Sequence, residues 1–289
     1  GLSNGISLAV GEYHSAALLS DGTVWTWGHN GSGQLGDRTY TDRNTPNQIM
    51  NLTNVIALSA NSQYMMALKE DGTVWAWGYN GYGQLGDGTK TNRTIPTQIQ
   101  GLSGVTSISA GNYYAMAVKA DGTVWTWGHN GQGQLGDGTT IDRPLPGQVQ
   151  GLANIKHATA GENHALAVKT DGTVWSWGYN GNGQLGDGTN TSTTNTIVPV
   201  QVTGLSDSSI VKAGSNFSLV LKNDGTLWSF GQNHVGQLGD DSNTDRNTPI
   251  QVMTGVSGIS AGRHHSAVVK TDGIAWTWGY NEHGQLGRG

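Results

Sequence analysis

Short apolar phrases of five or six residues, bounded by glycine or Asp-Gly, recur along the whole chain in one fixed order. In the third copy they read VTSISAG from Val105, AMAVKADG from Ala115, TVWTWGHN from Thr123, a polar glycine-rich stretch GQLGDGT from Gly133, then Pro146 and QVQGL from Gln148. The apolar phrases favour β-branched and aromatic residues and are punctuated by turn residues, which is the signature of strands joined by tight hairpins. No stretch carries a helical period of useful length. Asp-Gly recurs at Asp21, Asp71, Asp121, Asp171, Asp224 and Asp272, spaced by 50, 50, 50, 53 and 48 residues. Three strands are plain in each copy and a fourth is expected at the QVQ phrase. Four short strands per repeat of about 50 residues match a propeller blade.

The predicted fold class is therefore all-β: a β-propeller of six approximately 50-residue repeats, mostly four-stranded antiparallel blades. The repeats fall at about 1–50, 51–100, 101–150, 151–203, 204–251 and 252–289, the last incomplete because it stops after GQLG. A single propeller domain over 1–289 is expected, since closed all-β architectures often use this much chain for one domain.

Two features of the pattern carry a physical reading. Every one of the 11 tryptophans lies in the third phrase, as Trp25/Trp27, Trp75/Trp77, Trp125/Trp127, Trp175/Trp177, Trp228 (with Phe230) and Trp276/Trp278. Residues two apart in a strand share a face, and burying ~200 Å² per indole gives about 5 kcal/mol gross, an upper bound, so these rings are expected to fill the space between blades. The second feature is Gly11, Asn61, Gly111, Gly161, Gly214 and Gly262 at one repeat position. The one exception is Asn, which tolerates the left-handed region, so a positive φ is expected there.

Repeated WGxNxxGQLG, here WGHNGQGQLG from Trp127, preceded by AGxxxxxAVKxDG, resembles the repeat of the regulator of chromosome condensation family across essentially the whole chain. The resemblance implies a β-propeller, usually of seven blades where this chain shows six copies. It also implies a recognition role, since such propellers serve as exchange factors for a small GTPase, chromatin-docking modules, β-lactamase inhibitors and a plant photoreceptor. The photoreceptor's glycine-tryptophan-arginine-histidine-threonine motif is absent here.

Composition narrows the function. The 46 glycines lack a collagen period and read as turns. A net charge of −5 with no basic stripe argues against nucleic acid as a direct partner. No run of eighteen apolar residues points to a membrane. The absence of cysteine removes thiolate chemistry and leaves the compartment open, with a secreted or cell-surface setting favoured over the cytoplasm.

Candidate chemistry is sparse. His14, His164 and His265 alternate with Tyr64, Tyr114 and Phe217, and His29 and His129 alternate with Tyr79, Tyr179 and Tyr280, as packing residues would. GQGQLG matches a phosphate-binding pattern literally, but no helix or lysine follows and the phrase repeats in each copy. Asp37, Asp87, Asp137 and Asp187, with Asp240, are expected to clamp the loop through the downstream Arg43, Arg93, Arg143 and Arg246. No GxSxG motif and no HExxH motif occurs, so the protein is not expected to be an enzyme, and no catalytic residue, metal or cofactor is assigned.

Binding is expected where the copies differ. The turn after the SAG phrase varies and carries Tyr13, Tyr113, Arg263 and His264; a second variable loop position carries Tyr82. Tyr and Arg are common interface anchors, and equivalent turns lie on one rim of a propeller. These five residues form the candidate binding site of a non-catalytic scaffold whose partner is a protein, with a monomer expected. Guanine-nucleotide exchange on a small GTPase and glycan binding are the alternatives.

Overall fold

The computed structural model describes residues 1–190 and 195–288; the remainder of the fourth loop and Gly289, which closes the sixth repeat, lie outside the described residues. The first blade comprises β1 (Gly5–Val10), β2 (His14–Leu19), β3 (Val24–Gly28) and β4 (Arg43–Gln48). The second comprises β5 (Val55–Asn61), β6 (Tyr64–Lys69), β7 (Val74–Gly78) and β8 (Arg93–Gln98), and the third β9 (Val105–Ala110), β10 (Tyr114–Lys119), β11 (Val124–Gly128) and β12 (Arg143–Gln148). The fourth comprises β13 (Ile155–Ala160), β14 (His164–Lys169), β15 (Val174–Gly178) and β16 (Thr196–Gln201). The fifth comprises β17 (Ser208–Ala213), β18 (Phe217–Lys222), β19 (Leu227–Gly231) and β20 (Arg246–Met253). The sixth comprises β21 (Val256–Ala261), β22 (His265–Lys270) and β23 (Ala275–Gly279). Each sheet runs in sequence order, five with four strands and the last with three, so the fold class is the all-β propeller class that the repeat predicts.

The blades fall into two compact units. Residues 1–131 with 141–149 hold the first three blades, and residues 132–140 with 150–289 hold the loop of the third repeat and the last three blades.

The Asp-Gly turns form as expected. Gly22, Gly72, Gly122 and Gly172 take φ between 75° and 81°, and the Asp21 carboxylate accepts from the amide and hydroxyl of Thr23, an Asx arrangement that secures the hairpin. The fourth strand differs from expectation. In the first three blades it begins at the loop arginine and ends at the first Gln of the closing phrase, as in Arg43–Gln48; in the fourth it runs Thr196–Gln201 and in the fifth Arg246–Met253. It pairs only with the third strand, so Pro46 and Pro144 sit on an edge where a missing N–H costs no ladder bond.

The glycine at repeat position eleven corrects the expectation of a special backbone angle. Gly11, Gly111, Gly161, Gly214 and Gly262 all avoid the left-handed region. What they supply is space. A Cβ on Gly111 would lie 2.1 Å from the Tyr114 ring, and one on Gly214 would lie 2.0 Å from the Phe217 ring. In the second blade, strand pairing extends to Asn61 opposite Tyr64, and the Tyr64 hydroxyl reaches the carbonyl of Gly111 at 3.2 Å.

Neighbouring blades share one joint, repeated. Trp77 and Trp127 are fully buried, and their indole N–H groups donate to the carbonyls of Gln34 (3.0 Å) and Gln84 (2.9 Å) in the preceding repeat. In the second half of the chain Trp177 donates to Gln134 and Trp278 to Gln237. Phe230 has no N–H, and there the Ser218 hydroxyl donates to the waiting Gln184 carbonyl at 2.8 Å. Gly36 and Gly86, at φ 68° and 70°, let each indole approach; a Cβ on Gly86 would lie 2.8 Å from the Trp127 nitrogen. Leu68, Val74, Leu85 and Ile99 of the second repeat pack with Val105, Ala117 and Trp127 of the third in one buried cluster. Trp75, Trp125, Trp175 and Trp228 are only partly buried, and an ammonium lies over each ring, Lys169 at 4.2 Å from the Trp175 centroid; Lys270 lies over the more exposed Trp276, and in the first repeat Leu19 stands at the lysine's position.

Candidate functional site

The two variable segments lie side by side because the backbone ties them together. The turn before the second strand offers a carbonyl to the first residue of the glycine-rich loop: His29 donates to Tyr13, Tyr79 to Gln63, His129 to Tyr113 and Tyr280 to His264, all at 2.8–2.9 Å.

The loop itself is held by buried polar side chains. Asn80 accepts from the Leu85 amide and donates to Asp87 and Thr89, and Gln84 accepts from the Tyr82 amide. Asp87 in turn accepts from Thr89 and pairs with Arg93 at 2.6 Å. The same clamp joins Asp37 to Arg43 and Asp240 to Arg246. Arg143 additionally folds back to donate to the carbonyls of Thr126 and Gly147, both at 3.0 Å. A long loop closed by these charge-assisted bonds presents its side chains in fixed positions.

In the first three blades this frame assembles an aromatic cluster. The Tyr82 ring lies 5.2 Å from Tyr113 and 4.7 Å from His129, and Tyr79 lies 5.5 Å from Tyr113. These are edge or tilted contacts of the kind aromatic pairs prefer. Tyr113 stands at φ 63°, a left-handed conformation that costs a bulky residue on the order of 1–3 kcal/mol. Burial and the neighbouring Tyr82 and Tyr113 push the Tyr79 phenol above its ordinary value, and burial lowers the His129 pKa. Both shifts favour the neutral forms of Tyr79 and His129, whose phenol and imidazole groups can donate or accept. Tyr13 is 63% exposed and meets His29 edge-on at 6.4 Å, separate from these rings.

In the last three blades His264 lies 5.8 Å from His234 and 6.4 Å from Tyr280, which is followed by His283 at 6.1 Å. Burial, then the charge of Arg263, lowers the His264 pKa. Arg263 is largely exposed and faces Glu162 at 3.8 Å, and Glu162 also receives the Ser215 hydroxyl.

Of the five residues singled out from sequence, Tyr82 thus joins Tyr113, Arg263 adjoins His264, and Tyr13 stands with His29. Tyr79, His129 and His234 belong to the same surfaces, although the repeat pattern assigns the first two to packing and does not single out the third. A signal for the first two is present, since one repeat position carries Tyr or His in five of the six copies, residues with a polar tip. Among the described residues no group of three or more His, Asp or Glu side chains is placed to hold a metal ion.

Similarity to known proteins agrees with the repeat. Residues 2–289 match the family model of the RCC1-like domain. Prp20p from Saccharomyces cerevisiae, in a crystal structure that also concerns its binding to Gsp1p and histones, is 29% identical, with a TM-score of 0.85 over 98% of this chain and 74% of that one. Yeast RCC1 (Prp20) bound to Kap60 gives 28% identity and a TM-score of 0.86, covering 98% of this chain and 72% of that one. The mitochondrial RCC1 domain-containing protein RUG3 of Arabidopsis thaliana is 44% identical over 45 residues, which is 16% of this chain and 10% of that protein. With the joints, the loop clamps and a family match over nearly its whole length, the chain belongs to the RCC1-like domain family.

Proposed function

We propose that the protein is a non-catalytic recognition scaffold that binds a protein partner through the rim carrying Tyr79, Tyr82, Tyr113 and His129. The observation that carries this reading is Tyr113: a bulky side chain kept at φ 63°, whereas Asn163 and Asn216 at the equivalent positions of the fourth and fifth repeats stay out of the left-handed region. Stability alone favours Asn or Gly at such an angle, so the ring is retained for what it contacts. Four aromatic rings on clamped loops and the turn tied to them lose little freedom on binding, which is the usual make-up of an interface anchor. The RCC1 relatives support a protein as the partner, since their crystal structures concern a complex with Kap60 and binding to Gsp1p and histones.

The test is affinity capture from host extract with the wild type, Tyr82→Ala/Tyr113→Ala and Arg263→Ala/His264→Ala, read by mass spectrometry. A protein retained by the wild type and by the Arg263/His264 variant, and lost with the tyrosines, supports this rim. Loss only with Arg263 and His264 moves the site to the last blades. A small GTPase among the captured proteins, with accelerated nucleotide release, turns the reading to exchange, and binding confined to a glycan array turns it to a lectin.

A further inference from the structure

A buried amide at the aromatic rim has nothing to bond. In the first five repeats the Gln of the GQLG phrase is fully buried, and in the second its side-chain oxygen accepts from the Tyr82 amide at 3.1 Å. That bond fixes which end of the Gln84 amide is the oxygen, so the Nε2 group faces away from it. In the first repeat the equivalent Nε2 of Gln34 donates to His29 Nδ1 at 2.9 Å, and in the fifth Gln237 donates to Gln232 at 3.4 Å. In the fourth, Gln184 donates to Asn216 of the following repeat at 3.2 Å. His29 and Gln232 stand where the second repeat has Tyr79, and Asn216 stands where the third has Tyr113. Both acceptor positions around Gln84 are therefore tyrosines, and its Nε2 is buried without a hydrogen-bond partner. Buried donors are rarely left so, because an N–H taken from water and not repaired is costly.

The rings that flank this donor are those of the rim. Tyr79 lies 5.5 Å and Tyr82 5.2 Å from Tyr113. The charges that act on His129, Lys90 and Asp142, bond each other at 3.4 Å, so the charge beside the rings is already matched.

We propose that the rim takes an extended, proline-rich segment of its partner, with pyrrolidine rings on Tyr82 and Tyr113 and a prolyl-bond carbonyl accepting from Gln84 Nε2. The proposal rests on the reading of this rim as a protein-binding surface. The occupant follows from what the site offers, which is ring faces and a donor with no acceptor beside it. A polyproline II segment is the complement: its carbonyls are unpaired, its tertiary amides bring no N–H that needs an acceptor, and its stiffness limits the entropy lost on docking. A sugar brings hydroxyl donors along with its acceptors, and a charged side chain finds no lone counter-charge in the Lys90–Asp142 pair. Rotation of the Tyr79 or Tyr113 ring, a change common at interfaces, uncovers the amide.

The repeats supply the variants. Tyr79→His copies the first repeat and gives Gln84 the acceptor that His29 gives Gln34. Tyr79→Phe removes only the hydroxyl and leaves the amide unpaired. The experiment is calorimetric titration of the full chain with acetylated, amidated decaproline, beside an alanine-based peptide of the same length and chitohexaose, with circular dichroism checking the fold of each variant. Wild type and Tyr79→Phe are expected to bind decaproline in preference to the other two ligands. Tyr79→His and Tyr82→Ala are expected to bind it at least about tenfold more weakly. No binding of decaproline, equal binding of the alanine peptide, binding of chitohexaose alone, or a Tyr79→His variant that binds as the wild type does would each overturn the proposal. Its failure is distinct from that of the reading beneath it. Should extract capture still yield a protein that Tyr82→Ala/Tyr113→Ala loses while decaproline does not bind, the rim binds protein by other chemistry and only this inference falls.

Discussion

The indole nitrogen of Trp127 lies 2.9 Å from the carbonyl oxygen of Gln84, a residue 43 positions earlier, and both residues are completely buried. This bond is the third repeat's hold on the second. Trp127→Phe keeps most of the ring but leaves a buried acceptor unsatisfied, and is expected to destabilise by about 1–3 kcal/mol in denaturant unfolding. The fifth repeat indicates a rescue, because Ser218 serves the same carbonyl where Phe230 replaces the indole. Ala115 occupies the position of Ser218 in the third blade. Adding Ala115→Ser to Trp127→Phe should recover part of the loss; a double variant no more stable than the single one refutes this equivalence.

Gly111 is constrained by the ring above it and not by its φ. Gly111→Ala places a methyl 2.1 Å from Tyr114, and since the ring is fully buried it has little room to move. Overpacking of this kind costs about 1–3 kcal/mol. If thermal unfolding is unchanged, the account of this position fails.

Burial holds three imidazoles neutral. The pKa of His14, His157 and His164 is lowered to about 4 in each case, chiefly by burial. Their unfolded value is about 6.5, so between the two values the unfolded chain binds more protons. The stability these groups contribute is complete above about pH 6.5 and is lost as the pH falls toward 4, at up to about 1.4 kcal/mol per pH unit for each histidine. His164→Phe, which copies Phe217 at the same repeat position, should flatten that slope. Unfolding midpoints measured from pH 7 to pH 4 decide the matter.

Tyr113→Asn separates binding from folding. Asn relieves the left-handed strain of about 1–3 kcal/mol and forfeits ring contacts worth about 0.5–1.5 kcal/mol each. Stability is expected to stay within about 1 kcal/mol of the wild type or to rise, while capture of the partner through this rim weakens. A marked loss of stability would mean that the ring serves the fold and not recognition.

Much of the fold is legible because the repeat states it six times. The Trp pairs and the Asp-Gly turns place three strands in every blade, and the loop arginines pair with the aspartates of their own loops at Arg43, Arg93 and Arg246. The fourth strand escapes the sequence pattern since an edge strand needs neither an apolar alternation nor every N–H, which hides Pro46 inside it. Glycine at position eleven misleads because sequence does not distinguish a backbone angle from a steric vacancy; the ring that excludes a side chain there is three residues away. The rim is half legible. Variation draws attention to Tyr82 and Tyr113, but Tyr79 and His129 repeat so regularly that they read as packing, and only the turn of each loop brings the four rings together.

The Trp-to-Gln joint also bears on how such a gene can change. Each repeat carries its own acceptor and its own donor, and neither is tuned to a particular neighbour. Duplicating or deleting one whole unit of DNA would therefore rebuild every seam at the cut with parts already present, whereas a break inside a unit would strand an indole or a carbonyl. On that geometry, adding or removing a whole repeat needs no compensating substitution at the seam.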